Sequence, residues 1–222
     1  MLSQFYCNME YFDVDCIPAP FAVDVMVPIR TMPPCSVKVT IYGDICDNAV
    51  EFLDMNVYYD DVQPPGCATR ADVHAAFLQW MSFTAFAFQE FFRQFYLPTY
   101  DASHPLNLIP NCPSTKAFFA ATAVACRKPV IIWTIPDIVN PTLFTSVTVN
   151  YDLSQPWSYY EATKPIGATT AVIELVNCGE SCCYHVVEAC KSGGAYVITT
   201  TNPLPMTNPC PVPNTDPNCR VF

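Results

Sequence analysis

The sequence predicts an α+β, mainly β protein: an antiparallel, sandwich-like core with one long helix and disulfide staples, and extended Pro-rich arms at both ends. Three observations carry that expectation. Short segments alternate apolar and polar residues with the period of a half-buried strand, most clearly Val37, Val39 and Ile41 against Ser36, Lys38 and Thr40. One stretch, about 70–95, repeats its apolar residues at helical spacing instead. The 222 residues also include 13 cysteines and 22 prolines, a composition that suits a stapled chain bounded by irregular segments. At this length a single domain is expected over 1–222, with 1–34 an N-terminal arm, 35–201 the core and 202–222 a tail.

The arm holds five prolines, Pro18, Pro20, Pro28, Pro33 and Pro34, which remove ladder donors and keep it extended or edge-like. Phe21, Val23 and Val25 fit one strand inside it. Cys7 and Cys16 are close enough to close a local loop. A first core strand starts at Cys35, Gly43 and Asp44 punctuate it, and a second follows over 50–59. Pro64, Pro65 and Gly66 end this meander. Cys35 and Cys46 bracket the first strand and are expected to bond to neighbours rather than to each other.

The helix begins after Thr69, a suitable N-cap with Asp72 three residues on. Val73, Phe77, Trp80, Met81, Thr84, Phe88, Phe91, Phe92 and Phe95 form one stripe, and Phe83 and Phe86 lie off it. A helix apolar on more than one side is covered on more than one side, by loops of the same subunit or by a partner. Its longest uncharged run, 75–89, is 15 residues, short of the ~20 needed to span a bilayer.

A polar loop is expected over 98–113. Residues 117–126 fit strand or helix equally, 129–135 read as a central strand because they are near-continuously apolar, and 143–151 alternate less cleanly. The densest cysteine stretch is 178–190, with Cys178, Cys182, Cys183 and Cys190 between two β-favouring segments. Adjacent Cys182 and Cys183 would point to opposite faces of a strand, so this stretch reads as the hub onto which the fold is stapled. Its hairpin turns at Lys191, Ser192, Gly193 and Gly194. In the tail, Cys210 and Cys219 suit a local clasp. Cys67, Cys112 and Cys126 complete the set of disulfide candidates, and an odd count leaves at least one thiol free or bridged to another chain.

Composition narrows the function. Net charge is −10, and the ten basic residues are scattered, so nucleic acid and anionic membranes are not expected partners. Charged residues are only 14% of the chain against roughly 25% in ordinary soluble domains. Such a surface is either neutral and polar or covered by other subunits, and the second reading is preferred. The cysteines favour an oxidising, extracellular or cell-surface setting. The opening residues have neither the basic start nor the apolar run of a signal peptide, which leaves three readings: export by another route, a leader outside this numbering, or an intracellular protein with reduced cysteines.

No catalytic, cofactor or metal site is expected. Cys178, Cys182, Cys183, His185 and Cys190 supply zinc-ligand atoms, but alternating strand faces would aim them apart. Gly179, Glu180 and Ser181 begin like a nucleophile elbow and then lack its closing Gly. His74, His104 and His185 read as surface or satisfied histidines rather than bases. Asp13 and Asp15, and Asp54, Asp60 and Asp61, read as solvated loop carboxylates without calcium-loop spacing.

Two patterns carry a resemblance: Cys182 and Cys183 entering a short strand that ends in Cys190 and Gly193, and Cys35 with its alternating strand followed by Cys46 and Cys67. In these the chain resembles a group of cysteine-rich secreted or surface proteins of Bacteroidota, over about half its length. Those proteins often carry Arg after the double cysteine, where this chain has Tyr184 and His185. Their functions are largely unassigned, so the resemblance implies location rather than activity.

The function expected is a non-enzymatic structural subunit that assembles with copies of itself into an extracellular filament, pilus-like fibre or surface layer. Phe21, Val23, Val25, Phe83 and Phe86 are the candidate assembly residues. One alternative is a secreted adhesion or carbohydrate-binding module, with Trp157, Tyr159 and Tyr160 as a platform for a surface glycan or host ligand. Another is a viral capsid or coat protein.

Overall fold

The structure, a computed structural model, describes residues 19–46, 49–79, 83–105, 108–113, 115–124, 126–140, 142–152, 154–177, 182–200, 204–205 and 220–221. Its strands are β1 (Ala19–Thr31), β2 (Pro34–Cys46), β3 (Ala49–Gln63), β4 (Ala117–Val124), β5 (Cys126–Pro136), β6 (Phe144–Asn150), β7 (Thr170–Asn177), β8 (Cys182–Ser192), β9 (Ala195–Thr200), β10 (Leu204–Pro205) and β11 (Arg220–Val221). All eleven belong to one hydrogen-bonded sheet. It is antiparallel except where β4 runs parallel to β3.

β3 organises the sheet. β2 lines one of its edges from end to end, from the Ser36–Gln63 pair to the Cys46–Ala49 pair. The other edge is shared: residues 49–52 pair with β4, and residues 56–58 pair with β7. Two branches therefore leave the same edge, β4–β8–β9 and β7–β5–β6. The expected hub, the cysteine-rich 178–190 stretch, instead supplies β8, the middle strand of one branch. Pairing between backbones, not cysteine density, decides which strand is central.

The fork has a local cause. Tyr42 pairs with Asp54, but its neighbour Gly43 pairs with Phe52, which leaves Leu53 as an extra residue in β3. Such a bulge bends the strand and reverses which parity faces the core. Phe52 is buried on one side of it, and Met55, Val57 and Tyr59 on the other. Gly43 makes the close approach possible, since a Cβ there would lie 2.0 Å from the Glu51 carbonyl oxygen and 2.7 Å from the Phe21 ring.

Charge fills the opening. Arg127, from the start of β5, is buried and donates from Nη2 to the Phe52 carbonyl at 3.0 Å, just where β4 pairing ends. Burial pulls its pKa down to about 10, against the opposing pull of Asp54. Asp54 accepts the Met55 N–H at 2.6 Å and lies beside Glu174 of β7. Burial first, then the Glu174 carboxyl, raise the Asp54 pKa to about 6 despite Met55 and Arg127. The three carboxylates of the 54–61 stretch are thus strand residues with separate partners rather than a solvated loop. Asp60 takes the Arg70 guanidinium with both oxygens, at 2.6 and 3.0 Å, and Asp61 pairs with Lys38 at 3.0 Å.

The helical layer is α1 (Arg70–Gln79), α2 (Phe83–Phe91), a π turn (Phe92–Tyr96) and α3 (Leu97–Ser103). α1 starts where expected. The Thr69 N–H donates to Asp72 Oδ2 at 2.8 Å and the Asp72 N–H donates to Thr69 Oγ1 at 3.2 Å, a reciprocal cap. The expected end near Phe95 and the expected loop from 98 are corrected, because helix continues to Ser103. Pro98 explains the change of winding. It has no N–H for the Gln94 carbonyl, and the residue before it, Leu97, bonds back to Phe92, five residues away. A further helix, α4 (Trp157–Thr163), carries the aromatic residues considered as a ligand platform.

Aromatic side chains join the layers. Phe52 stacks on Phe88 with centroids 3.9 Å apart and meets Phe91 edge-on at 5.2 Å. Phe21 stacks on Phe91 at 4.9 Å, and Phe119 of β4 meets Tyr96 and Tyr100 edge-on. A second group, Tyr59, Tyr151, Trp157 and Tyr160, surrounds His74, whose Nδ1 hydrogen-bonds the Tyr151 hydroxyl. Both groups belong to one continuous core.

Two disulfides are described. Cys35–Cys67 ties the start of β2 to the turn after β3, so Cys35 does bond away from Cys46. Cys112–Cys190 ties the segment after α3 to β8. Cys7, Cys16, Cys178, Cys210 and Cys219, and the side chains of Cys46, Cys126, Cys182 and Cys183, lie outside the described residues. So do the two expected local clasps.

Candidate assembly surface

Strand β6 pairs with β5 from Val130–Asn150 to Pro136–Phe144 without a register shift. Its other edge carries no strand among the described residues. Six of its seven residues are exposed. The sequence accounts for this. On one face Thr145, Val147 and Val149 alternate, but on the other Phe144 breaks a row of Ser146, Thr148 and Asn150, so neither face is apolar enough to close over a core. From Asn140 to Tyr151 no residue carries a charge.

The β5–β6 turn is ordered by its own hydrogen bonds, and it presents apolar side chains. Asp137 Oδ1 accepts the N–H groups of Val139 at 2.7 Å and Asn140 at 2.8 Å, and these donors hold its carboxyl below the usual range. Asn140 Oδ1 takes the Thr142 N–H and hydroxyl, and Leu143 donates to the Asn140 carbonyl at 2.9 Å. Ile138 is 100% exposed on this scaffold and Val139 93%. Ile166, 99% exposed, projects from a neighbouring turn at the same end of β5, where Gly167 packs beside Ile135. With Leu143 and Phe144 also exposed, apolar groups concentrate at this one end of the branch.

The other edges differ. β1 also pairs on one side only among the described residues, but it contains Pro20, Pro28 and Asp24 and shifts register between Pro28 and Arg30. Proline, charge and bulges are the devices that keep an edge from pairing. β6 has none of them. β9 lacks them too, but Tyr196 and Ile198 pack against the core and the Tyr196 hydroxyl is held by Asp101 at 2.6 Å.

The residues expected to mediate assembly lie elsewhere. Val25 is buried, and Phe21 and Val23 pack against the core of their own chain. Phe83 and Phe86 fall within α2, but their side chains lie outside the described residues. The aromatic platform expected at 157–160 is mostly internal. Trp157 and Tyr160 are buried, with Trp157 Nε1 donating to Glu161 and the Tyr160 hydroxyl to the Asp152 carbonyl, and only Tyr159 is exposed.

Nor do the other chemical candidates converge. Cys190 is in a disulfide, and no group of three or more metal-ligating side chains is arranged for an ion among the described residues. His74 is buried with its pKa lowered by that burial, and His104 stacks on Tyr100. Ser181 and the His185 side chain lie outside the described residues. No described helix is long and apolar enough to cross a membrane.

Sequence reasoning missed β6 as the exposed element. The signal was its imperfect alternation together with twelve consecutive uncharged residues. Comparison with protein-family models, curated proteins and solved structures finds no match.

Proposed function

We propose that the chain is a non-enzymatic structural subunit that assembles with copies of itself at a cell surface or outside the cell. The observation that carries this reading is β6, an ungated and uncharged edge strand whose hairpin tip is apolar. An edge strand offers a row of main-chain donors and acceptors, and strand addition supplies most of their missing partners at once. A net charge of −10 keeps the rest of the surface apart and concentrates contact on the neutral strand. The two disulfides support an oxidising location, as does the resemblance to surface proteins of Bacteroidota. Filament, pilus-like fibre and surface layer are the forms such a subunit would build when the edge contact is joined by a further surface.

Negative-stain electron microscopy of concentrated, purified chain tests the reading. Fibres or sheets in oxidising buffer are expected. Uniform single particles at every concentration, with and without reductant, would contradict it.

A further inference from the structure

Resting on that reading, we infer that the occupant of the β6 edge is β6 of a second copy, antiparallel, with Val147 facing Val147 across a two-fold axis. The strand suits itself. It has an odd number of residues, 144–150, so reversal about its centre sets Thr145 against Val149, Ser146 against Thr148 and Phe144 against Asn150. β-branched and hydroxyl pairs of this kind stabilise antiparallel ladders. Thr145, Val147 and Val149 share the face of Ile135, Trp133 and Ile131 on β5, so the added strand continues the apolar side of the sheet over Val147, itself 37% exposed.

The self-complementary register argues for a copy as the occupant, and charge decides where that copy can approach. The strand bears no charge that would select an acidic or basic partner. An approaching copy also carries −10, so it can close only where like charges are absent, and reversal about Val147 brings together just such stretches. The flanking acids, Asp137 and Asp152, fall outside the paired segment 144–150. Because the contact is isologous, it closes in pairs. A longer assembly would then use a second surface, leaving this pair as its building block.

A charge swap at the centre tests the axis. Val147→Lys or Val147→Glu would each set like charges directly opposite one another, and each should lower the native mass of the full chain to that of a monomer at low salt. Mixing the two variants should restore the paired mass, because only a two-fold centred on this residue places Lys against Glu. Variants that assemble like wild type would overturn the proposal, and so would monomeric variants that fail to recover on mixing. Wild type that assembles while both variants also assemble sinks the β6 contact alone, whereas monomeric wild type sinks the structural-subunit reading with it. Circular dichroism checks that the variants fold. If they do not, amide hydrogen exchange on wild type decides. Protection of 144–150 that rises with concentration supports the pairing, and protection independent of concentration overturns it.

Discussion

Gly43 and Asp54 flank the bulge that forks the sheet, and each makes a separate prediction. A methyl group at Gly43 has no free space between the Glu51 carbonyl and the Phe21 ring. Gly43→Ala should therefore destabilise the fold by about 1–3 kcal/mol, the usual range for overpacking, read as a lowered midpoint in urea. An unchanged midpoint would mean that β2 and β3 can separate there without cost. Asp54 is raised from its ordinary 3.8 to about 6, so the folded chain binds a proton more tightly than the unfolded one. Stability contributed by this group is greatest at low pH and falls as pH rises from about 4 to about 6, by an amount on the order of 3 kcal/mol. Asp54→Asn should raise the melting temperature at pH 7.5, and the difference from wild type should vanish near pH 4. A difference that is the same at both pH values would contradict the buried-carboxyl account. His74 works in the opposite direction, since burial lowers its pKa and protonation costs stability as pH falls. The comparison of wild type with Asp54→Asn cancels that contribution. None of this was legible in the chain, where Asp54 looked like one of several solvated acids. Its environment comes from Glu174 and Arg127, more than 70 residues away in sequence.

Elements were more legible than their connections. Strand periodicity located β2, β3 and β5, and the paired glycines 193 and 194 marked the β8–β9 turn, where both adopt positive φ. Thr69 and Asp72 marked the start of α1 because capping is local chemistry. Thr69→Ala should cost about 1 kcal/mol, measured as the shift of the urea midpoint, and no shift would show that tertiary contacts alone hold that end. The fork in β3 could not be read the same way, since it depends on which distant strands share an edge. The sequence predicts a helix apolar on more than one side, covered by its own subunit or by a partner. In fact Phe91, Phe92, Tyr96 and Phe119 fill a core that the two branches build together. Apolar excess on that helix therefore serves the fold, at least through the side chains described, which leaves β6 as the surface proposed for other copies.

For the whole molecule, low charge and high apolar content have two outlets. One is a large aromatic core, and the other is a set of exposed apolar side chains, of which Ile138, Val139, Leu143, Phe144 and Ile166 lie at the end of one branch while Met32, Leu108, Phe118 and Val197 lie elsewhere. A surface of that kind is costly to leave in water, which is the driving force the proposed assembly would draw on. Of the assembly candidates in the N-terminal arm, Val25 is buried and Phe21 and Val23 pack against the core of their own chain. The most direct test of self-assembly is the sedimentation of the oxidised, full-length chain across a wide concentration range. Species well above the 24.7 kDa of one chain, growing with concentration, are the expected result. A single 24.7 kDa species throughout would contradict the account.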